Sequence, residues 1–220
     1  MAGDLPEPSR KTPETPRTDG RRARADRTRA SILTAAASLF IDTGYSSTSM
    51  SAIAARAGVS EQSVYYSFGT KREILARALD TAAAGDDADV RIADRPWVKH
   101  ALAAASAVDQ LTRQVSGAAA ILSRTAGLLD IVRGAVRTEP EIAELWNTSL
   151  AQRRLTQLVF SRALDRRGAL HPDLTASRAA DIALSATSPE SYLLLTRERG
   201  MSVAEWERWT TRMLAGALLA

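Results

Sequence analysis

From Arg27 onward the apolar residues Ile32, Leu33, Ala36, Leu39 and Phe40 return at the three-to-four-residue spacing of one helix face, and Gly44 stands where that helix should end. A short second helix follows, capped by Thr48 or Ser49, carrying Met50, Ile53, Ala54 and Ala57 and stopping at Gly58. Val59 leads into a third helix, capped by Ser60 and running to about Phe68. Thr70-Lys71-Arg72-Glu73 is a capping box, in which a Thr hydroxyl and a Glu carboxylate three residues on satisfy each other's backbone N–H groups. It opens a fourth helix with Ile74, Leu75, Ala78 and Leu79 inward and Gly85 at its end.

The same periodicity continues beyond the acidic run Asp86, Asp87 and Asp89. Pro96 suits the first turn of a helix bearing Trp97, Val98, Ala101, Leu102, Ala105 and Val108, whose end is poorly marked. Ile121, Leu122, Thr125, Leu128, Leu129, Val132 and Val136 share one face of the next helix. Thr138-x-x-Glu141 reads as a second capping box, opening a helix through Ile142, Leu145, Trp146 and Leu150 to about Arg167, with Gly168 as terminator. Asp173 to Arg199 is helical by pattern, but Pro189 must start a new helix or kink this one. Ser202-x-x-Glu205 is a third box. The last helix carries Val203, Trp206, Trp209, Thr210, Met213, Leu214, Ala217 and Leu218 over more than one face.

The pattern therefore predicts an all-α chain of unequal parts: a Pro/Arg-rich tail over 1–22, a unit over 23–70, and a larger helical unit over 71–220. Composition agrees. Aromatic residues make up 5% of 220, so helices packed through small side chains are favoured over strands. Pro6, Pro8, Pro13 and Pro16 among polar residues predict that the first 20 or so residues stay disordered. With no cysteine, disulfides, thiolate metal sites and cysteine nucleophiles are ruled out. The N-terminus shows no apolar stretch of signal-peptide kind, and no later run approaches the roughly 20 apolar residues that a membrane span needs. The expectation is a cytoplasmic protein without membrane partners.

Net charge is +4, but its placement matters more than its size. Arg21, Arg22, Arg24, Arg27 and Arg29 face a single acid, Asp26, just before the first periodic helix. Two readings stand: an arm that seeks phosphate, or a solvated charge run.

Residues 48–71 read as two short helices joined by a tight turn. Gly58 supplies the positive φ of that turn, while Val59, Val64 and Phe68 seal the inner face. Ser60, Gln62, Ser63, Tyr66 and Ser67 fall on the outer or N-terminal side of the third helix, where hydroxyls and amides meet phosphates or base edges. Helix N-termini attract phosphate, which applies at Ser60 and again at Thr70 and Lys71. Glu61 either accepts from cytosine N4 or faces solvent, and Tyr65 divides between core and phosphate.

Gly44-Tyr45, Thr48 to Ala54, Ala57-Gly58-Val59-Ser60, Val64-Tyr65-Tyr66, Phe68 and Lys71-x-x-Ile74-Leu75 together resemble the TetR-family signature. The resemblance implies a helix-turn-helix regulator, expected to be a repressor, that binds double-stranded DNA as a homodimer on a near-palindromic operator. Carried over position by position, it implies DNA contacts from Thr48, Ser60, Gln62, Ser63, Tyr65, Tyr66 and Lys71, with Lys71 and Tyr65 on phosphate and Gln62 and Tyr66 on bases. Ser67 departs from the histidine often found there, which puts one phosphate contact in doubt.

The resemblance also implies that the C-terminal helices enclose a small-molecule effector and pair the two subunits. Independently, the wide apolar surface of the last helix and the stretch Tyr192 to Leu195 call for a buried face beyond one subunit's core. Candidate pocket residues are Trp97, Thr125, Trp146, Asn147 and Tyr192, each of which also suits ordinary core or surface. No cofactor, metal site or catalytic residue is expected. His100 and His171 are the only histidines and sit in no metal or nucleophile motif, and the Asp86–Asp89 run lacks the glycine and terminal glutamate of a calcium loop. A ligand-independent architectural DNA-binding protein with the same headpiece is the rival reading.

Overall fold

The computed structural model describes residues 17–85 and 94–220. The expected disorder of the first residues and the acidic run Asp86 to Asp89 lie outside these, apart from residues 17–22. The described residues form helices α1 (Arg17–Thr43), α2 (Met50–Ala57), α3 (Glu61–Phe68), α4 (Lys71–Ala84), α5 (Pro96–Leu102), α6 (Ala107–Ala135), α7 (Pro140–Arg166), α8 (Ala176–Ala186), α9 (Pro189–Leu193) and α10 (Val203–Leu218). An antiparallel bridge, Leu170 to Leu219, ties the residue after α10 to the loop after α7.

The caps explain most of the boundaries. Both reciprocal bonds of the capping box are made at Thr70/Glu73 and at Ser202/Glu205. Gly58, Gly85, Gly168 and Gly200 all take positive φ at or just past helix ends. Pro189 starts α9, capped by Ser188, and the chain continues through a π-helical turn over Leu194–Glu198.

Three expectations are corrected, and one choice between two caps is decided. Helix α1 begins at Arg17, so residues 17–22 extend it rather than belonging to a tail; residues 20–27 are exposed, which is why no apolar period marked them. The second helix is capped by Ser49, not Thr48. Pro96 opens a helix that ends at Leu102, and Ala105 and Val108 lie beyond it. Ser106 then caps α6 by accepting from the Asp109 N–H, and α6 runs unbroken to Ala135. Finally, Thr138 and Glu141 make no capping box. Glu139 is the N-cap, Pro140 occupies the first turn, and the Glu141 carboxylate is drawn away to the Tyr45 hydroxyl.

One core joins α1 to α4 with the C-terminal half of α6 and the start of α7: Ile32, Phe40, Ile53, Val64 and Leu75 pack with Leu128, Val132 and Ile142. A second surrounds Leu111, Val115, Leu122, Tyr192, Trp206 and Leu214, and a third small cluster holds Val98, Ala101 and Phe160. Helix α6 is long and apolar enough to cross a membrane by length and composition. That is longer than the sequence count allowed, but α6 packs against α1, α4, α5, α7, α9 and α10 as the central helix of the bundle.

Candidate nucleic-acid interface

The turn between α2 and α3 is fixed by short-range bonds. Ser49 accepts from the Ala52 N–H at 3.1 Å, and Gly58, at φ 69°, lets the Val59 N–H reach Ala54 O at 3.0 Å. Ser60 caps α3 by accepting from the Ser63 N–H at 3.2 Å, and the two hydroxyls share a further bond of 2.8 Å. Val64 and Phe68 are buried against α1 and α2, which turns the opposite side of α3 to solvent.

On that side stand Glu61, Gln62, Tyr65 and Tyr66. Tyr66 is 94% exposed and Tyr65 51%, a large apolar investment in solvent for a helix of eight residues. Ser63 and Ser67 are half-buried at its flank. Arg29 of α1 donates to Ser67 O at 2.9 Å while its guanidinium lies 4.7 Å from the Phe68 ring centre, so it completes the C-terminal end of α3. Between Arg29, Tyr65, Tyr66, Glu73 and Arg77 lies an open depression of about 430 Å³.

Two of the residues carried over by resemblance face inward. Thr48 is 2% exposed, its hydroxyl donating to Gly44 O at 2.8 Å and sharing a bond of 3.0 Å with Thr43; it holds the α1–α2 turn and does not face outward. Lys71 donates to Tyr45 O at 2.8 Å and Thr48 O at 3.0 Å, with its ammonium 4.3 Å from the Tyr45 ring centre. Two of its three protons are thus spent within the chain.

The Tyr45 ring under Lys71 is a junction that the sequence did not reveal. Its hydroxyl donates to Glu141 at 2.7 Å, and burial together with that carboxylate pushes its pKa far up. Ser46 donates to Glu139 at 3.0 Å, and Arg72 donates to Glu141 O at 3.2 Å and pairs with Glu144 at 3.7 Å. The first turns of α7 are therefore bonded both to the turn before α2 and to the start of α4. Glu141 had been visible in the sequence only as a cap, and its partner lies 96 residues away.

The five candidate pocket residues do not converge. Trp97 lies against Gly117 and Phe160, Thr125 donates to Ile121 O inside α6, and Tyr192 meets Trp206 edge-on at 5.1 Å. Trp146 sits at the rim of the first core between Arg133 and Arg153, and Asn147 is exposed. Neither of two surface depressions among the described residues is lined by any of them. His100 and His171 are both exposed, and among the described residues no three His, Asp or Glu side chains come together as a metal site would need.

Residues 32–78 match the family model described as bacterial regulatory proteins, tetR family. The α1–α4 segment is therefore similar to the helix-turn-helix domain of these regulators. No curated protein sequence matches it. Among solved structures, the TetR-family transcriptional regulator from Agrobacterium tumefaciens is 14% identical, covering 89% of this chain and 100% of its own, with a TM-score of 0.66. NalD from Pseudomonas aeruginosa, the secondary repressor of the MexAB-OprM multidrug efflux pump, is 19% identical over 90% of this chain and 98% of its own, TM-score 0.67. A protein named as a transcriptional regulator from Saccharomonospora viridis, in complex with choline, is 22% identical over 89% of this chain and 99% of its own, TM-score 0.68. At these identities the likeness is one of fold, and the TetR-type architecture extends over α1 to α10.

Proposed function

We propose that the chain is a repressor that binds a near-palindromic operator as a homodimer, lays α3 in the major groove of each half-site and leaves the DNA when a small molecule binds its C-terminal helices. The observation that carries the DNA reading is the outward row of α3: Gln62 and Tyr66 stand free of the core on a helix whose two ends are locked by Ser60 and Arg29. An amide that donates and accepts at once suits an adenine edge, and an exposed aromatic ring suits a thymine methyl. Tyr65, the α3 N-terminus at Ser60 and Ser63, and the third proton of Lys71 are left for phosphate. Thr48 contributes only by holding the turn.

The repressor and effector parts lean on the neighbours, since NalD is a repressor and the S. viridis protein binds choline. The dimer part leans on α10 and the π-helical turn after α9, where Val203 and Leu194 remain exposed as apolar residues. Selection of bound genomic fragments by the purified full chain at about 150 mM salt tests the reading, because DNA affinity has meaning only at stated salt. A short near-palindrome beside one or a few promoters is expected. Broad enrichment without a motif would favour the architectural rival and void the base contacts of Gln62 and Tyr66.

A further inference from the structure

Trp146 and Arg153 lie seven residues apart on α7 and so share one face of the helix. The Arg153 guanidinium is 5.1 Å from the Trp146 ring centre, and that of Arg133, from α6, is 5.4 Å from it. Among the described residues one acid, Glu190, answers these two cations at close range. It stands at the start of α9 and is bonded to Arg133. The Nε and Nη2 atoms of Arg153 are closed to solvent and meet no hydrogen-bond partner among the described residues.

An arginine buried in this way is costly, because a guanidinium that has lost its water needs acceptors in exchange. The imbalance is visible in its titration: burial lowers the pKa of Arg153, the nearby Arg133 lowers it further, and Glu190 only partly opposes them. Nε and Nη2 form one edge of the planar fork. That edge holds two oxygens of a carboxylate or of a phosphate monoester in parallel bonds, and a site closed to water favours the singly charged carboxylate over a dianion, which costs more to desolvate. Beside it, the Trp146 ring adds apolar surface, part of which the Arg133 and Arg153 guanidiniums already cover.

We propose that Arg153 is the anchor of an effector site for a small organic carboxylate, its carboxylate on the Nε/Nη2 edge and its flat apolar body against Trp146. The regulatory part rests on the repressor reading above. Because both nitrogens are closed to solvent, an anion reaches them only if α7 draws away from α6 or α9. The opening turns of that same helix hold the DNA-binding head through Glu139, Glu141 and Glu144. Entry of the carboxylate therefore pulls on Ser46, Tyr45 and Arg72, and with Tyr45 on the turn that positions α2 and α3.

Calorimetric titration of the full chain with benzoate and indole-3-acetate, against benzamide and phenyl phosphate, tests this. Saturable binding of at least one carboxylate is expected, with benzamide silent and phenyl phosphate weaker. Loss of a charge-assisted bidentate pair predicts that Arg153→Met weakens carboxylate binding by about 10- to 100-fold. Arg153→Lys, which keeps the charge but not the fork, should also lose binding by several-fold. Thermal melts of both variants establish that they fold. Binding of benzamide as tightly as benzoate, full retention in a folded Arg153→Met or Arg153→Lys, or silence of both carboxylates would each overturn the assignment. Fragment selection on the same wild-type preparation separates the two readings. Carboxylate binding without selective DNA binding sinks the repressor reading and spares the site, and the reverse sinks the site alone.

Discussion

Gly117, in the middle of α6, offers a sharp test of the packing. A mid-helix glycine is ordinarily a liability, and Gly→Ala there stabilises by about 1 kcal/mol. Here a Cβ on residue 117 would come within 2.3 Å of two Trp97 ring carbons, against the roughly 3.5 to 4 Å of ordinary carbon contacts. The ring would have to recede by more than about 1 Å. It cannot do so cheaply, since its other neighbour is Phe160, with ring centres 5.8 Å apart in the third core cluster. Overpacking costs about 1 to 3 kcal/mol, and a rigid ring places this case at the upper end. Net destabilisation of Gly117→Ala is then about 2 kcal/mol, or about 4 to 8 °C in Tm for a chain of this size. Gly134, near the end of the same helix with nothing within 4 Å of its missing Cβ, is the control: Gly134→Ala should raise stability by up to about 1 kcal/mol. The assay is urea and thermal unfolding of the three proteins side by side. If Gly117→Ala melts at or above wild type alongside Gly134→Ala, Trp97 does not occupy the slot that Gly117 leaves.

Three further outcomes follow from the site and its supports. Tyr66→Ala should cost about 1 to 3 kcal/mol on the selected operator and much less on random DNA, measured by titration at fixed salt; equal loss on both would show that the ring reads no base. Tyr45→Phe removes the hydrogen bond to Glu141, and because that carboxylate can rehydrate, the cost to stability should be near the low end of charged bonds, about 1 to 1.5 kcal/mol by urea unfolding. An unchanged midpoint would mean the junction is not held by this bond. The Ser202 hydroxyl and backbone N–H both donate to Glu205 and hold its carboxyl below the ordinary 4.5. A depressed carboxyl stabilises above its unfolded pKa and loses that contribution as pH falls through the lowered value. Ser202→Ala should therefore narrow the stability difference between pH 7 and about pH 3, read from melts at the two values; a parallel shift at both would discount the carboxyl.

What the sequence made legible was whatever is written in short range. Thr70 with Glu73, Ser202 with Glu205, Ser60, Gly58 and the buried pair Val64 and Phe68 all act within one or two turns, so α3 and its outward face could be read from spacing alone. Hidden features have distant partners or break the apolar period. The start of α6 was obscured because Gln110 and Gln114 occupy buried positions, where they donate to Phe160 O and to Gln157 across the helix pair. Glu141 had the spacing of a cap, but Pro140 and Tyr45 decided otherwise. Lys71 carried the composition of a phosphate ligand and is largely committed to Tyr45 and Thr48. Periodicity marks the inward residues of one helix at a time, and nothing in a single helix says which faces meet.

The sequence boundary at residue 70 also differs from the mechanical one. A capping box makes Thr70 a clean chemical start for α4, yet Ile74, Leu75, Ala78 and Leu79 enter the same core as Ile32, Phe40 and Val64. That core does not stop at α4. Leu128, Leu129, Val132 and Ala135 of α6 and Ile142 of α7 complete it, and Trp146 packs at its edge. A densely packed interior moves as a unit or not at all. The DNA-binding head therefore has no free hinge at residue 70. Any displacement of α7 must either carry α3 with it or break Tyr45, Ser46 and Arg72 from their partners, which makes the opening turns of α7 the place where a signal from the helical body meets the DNA-binding surface.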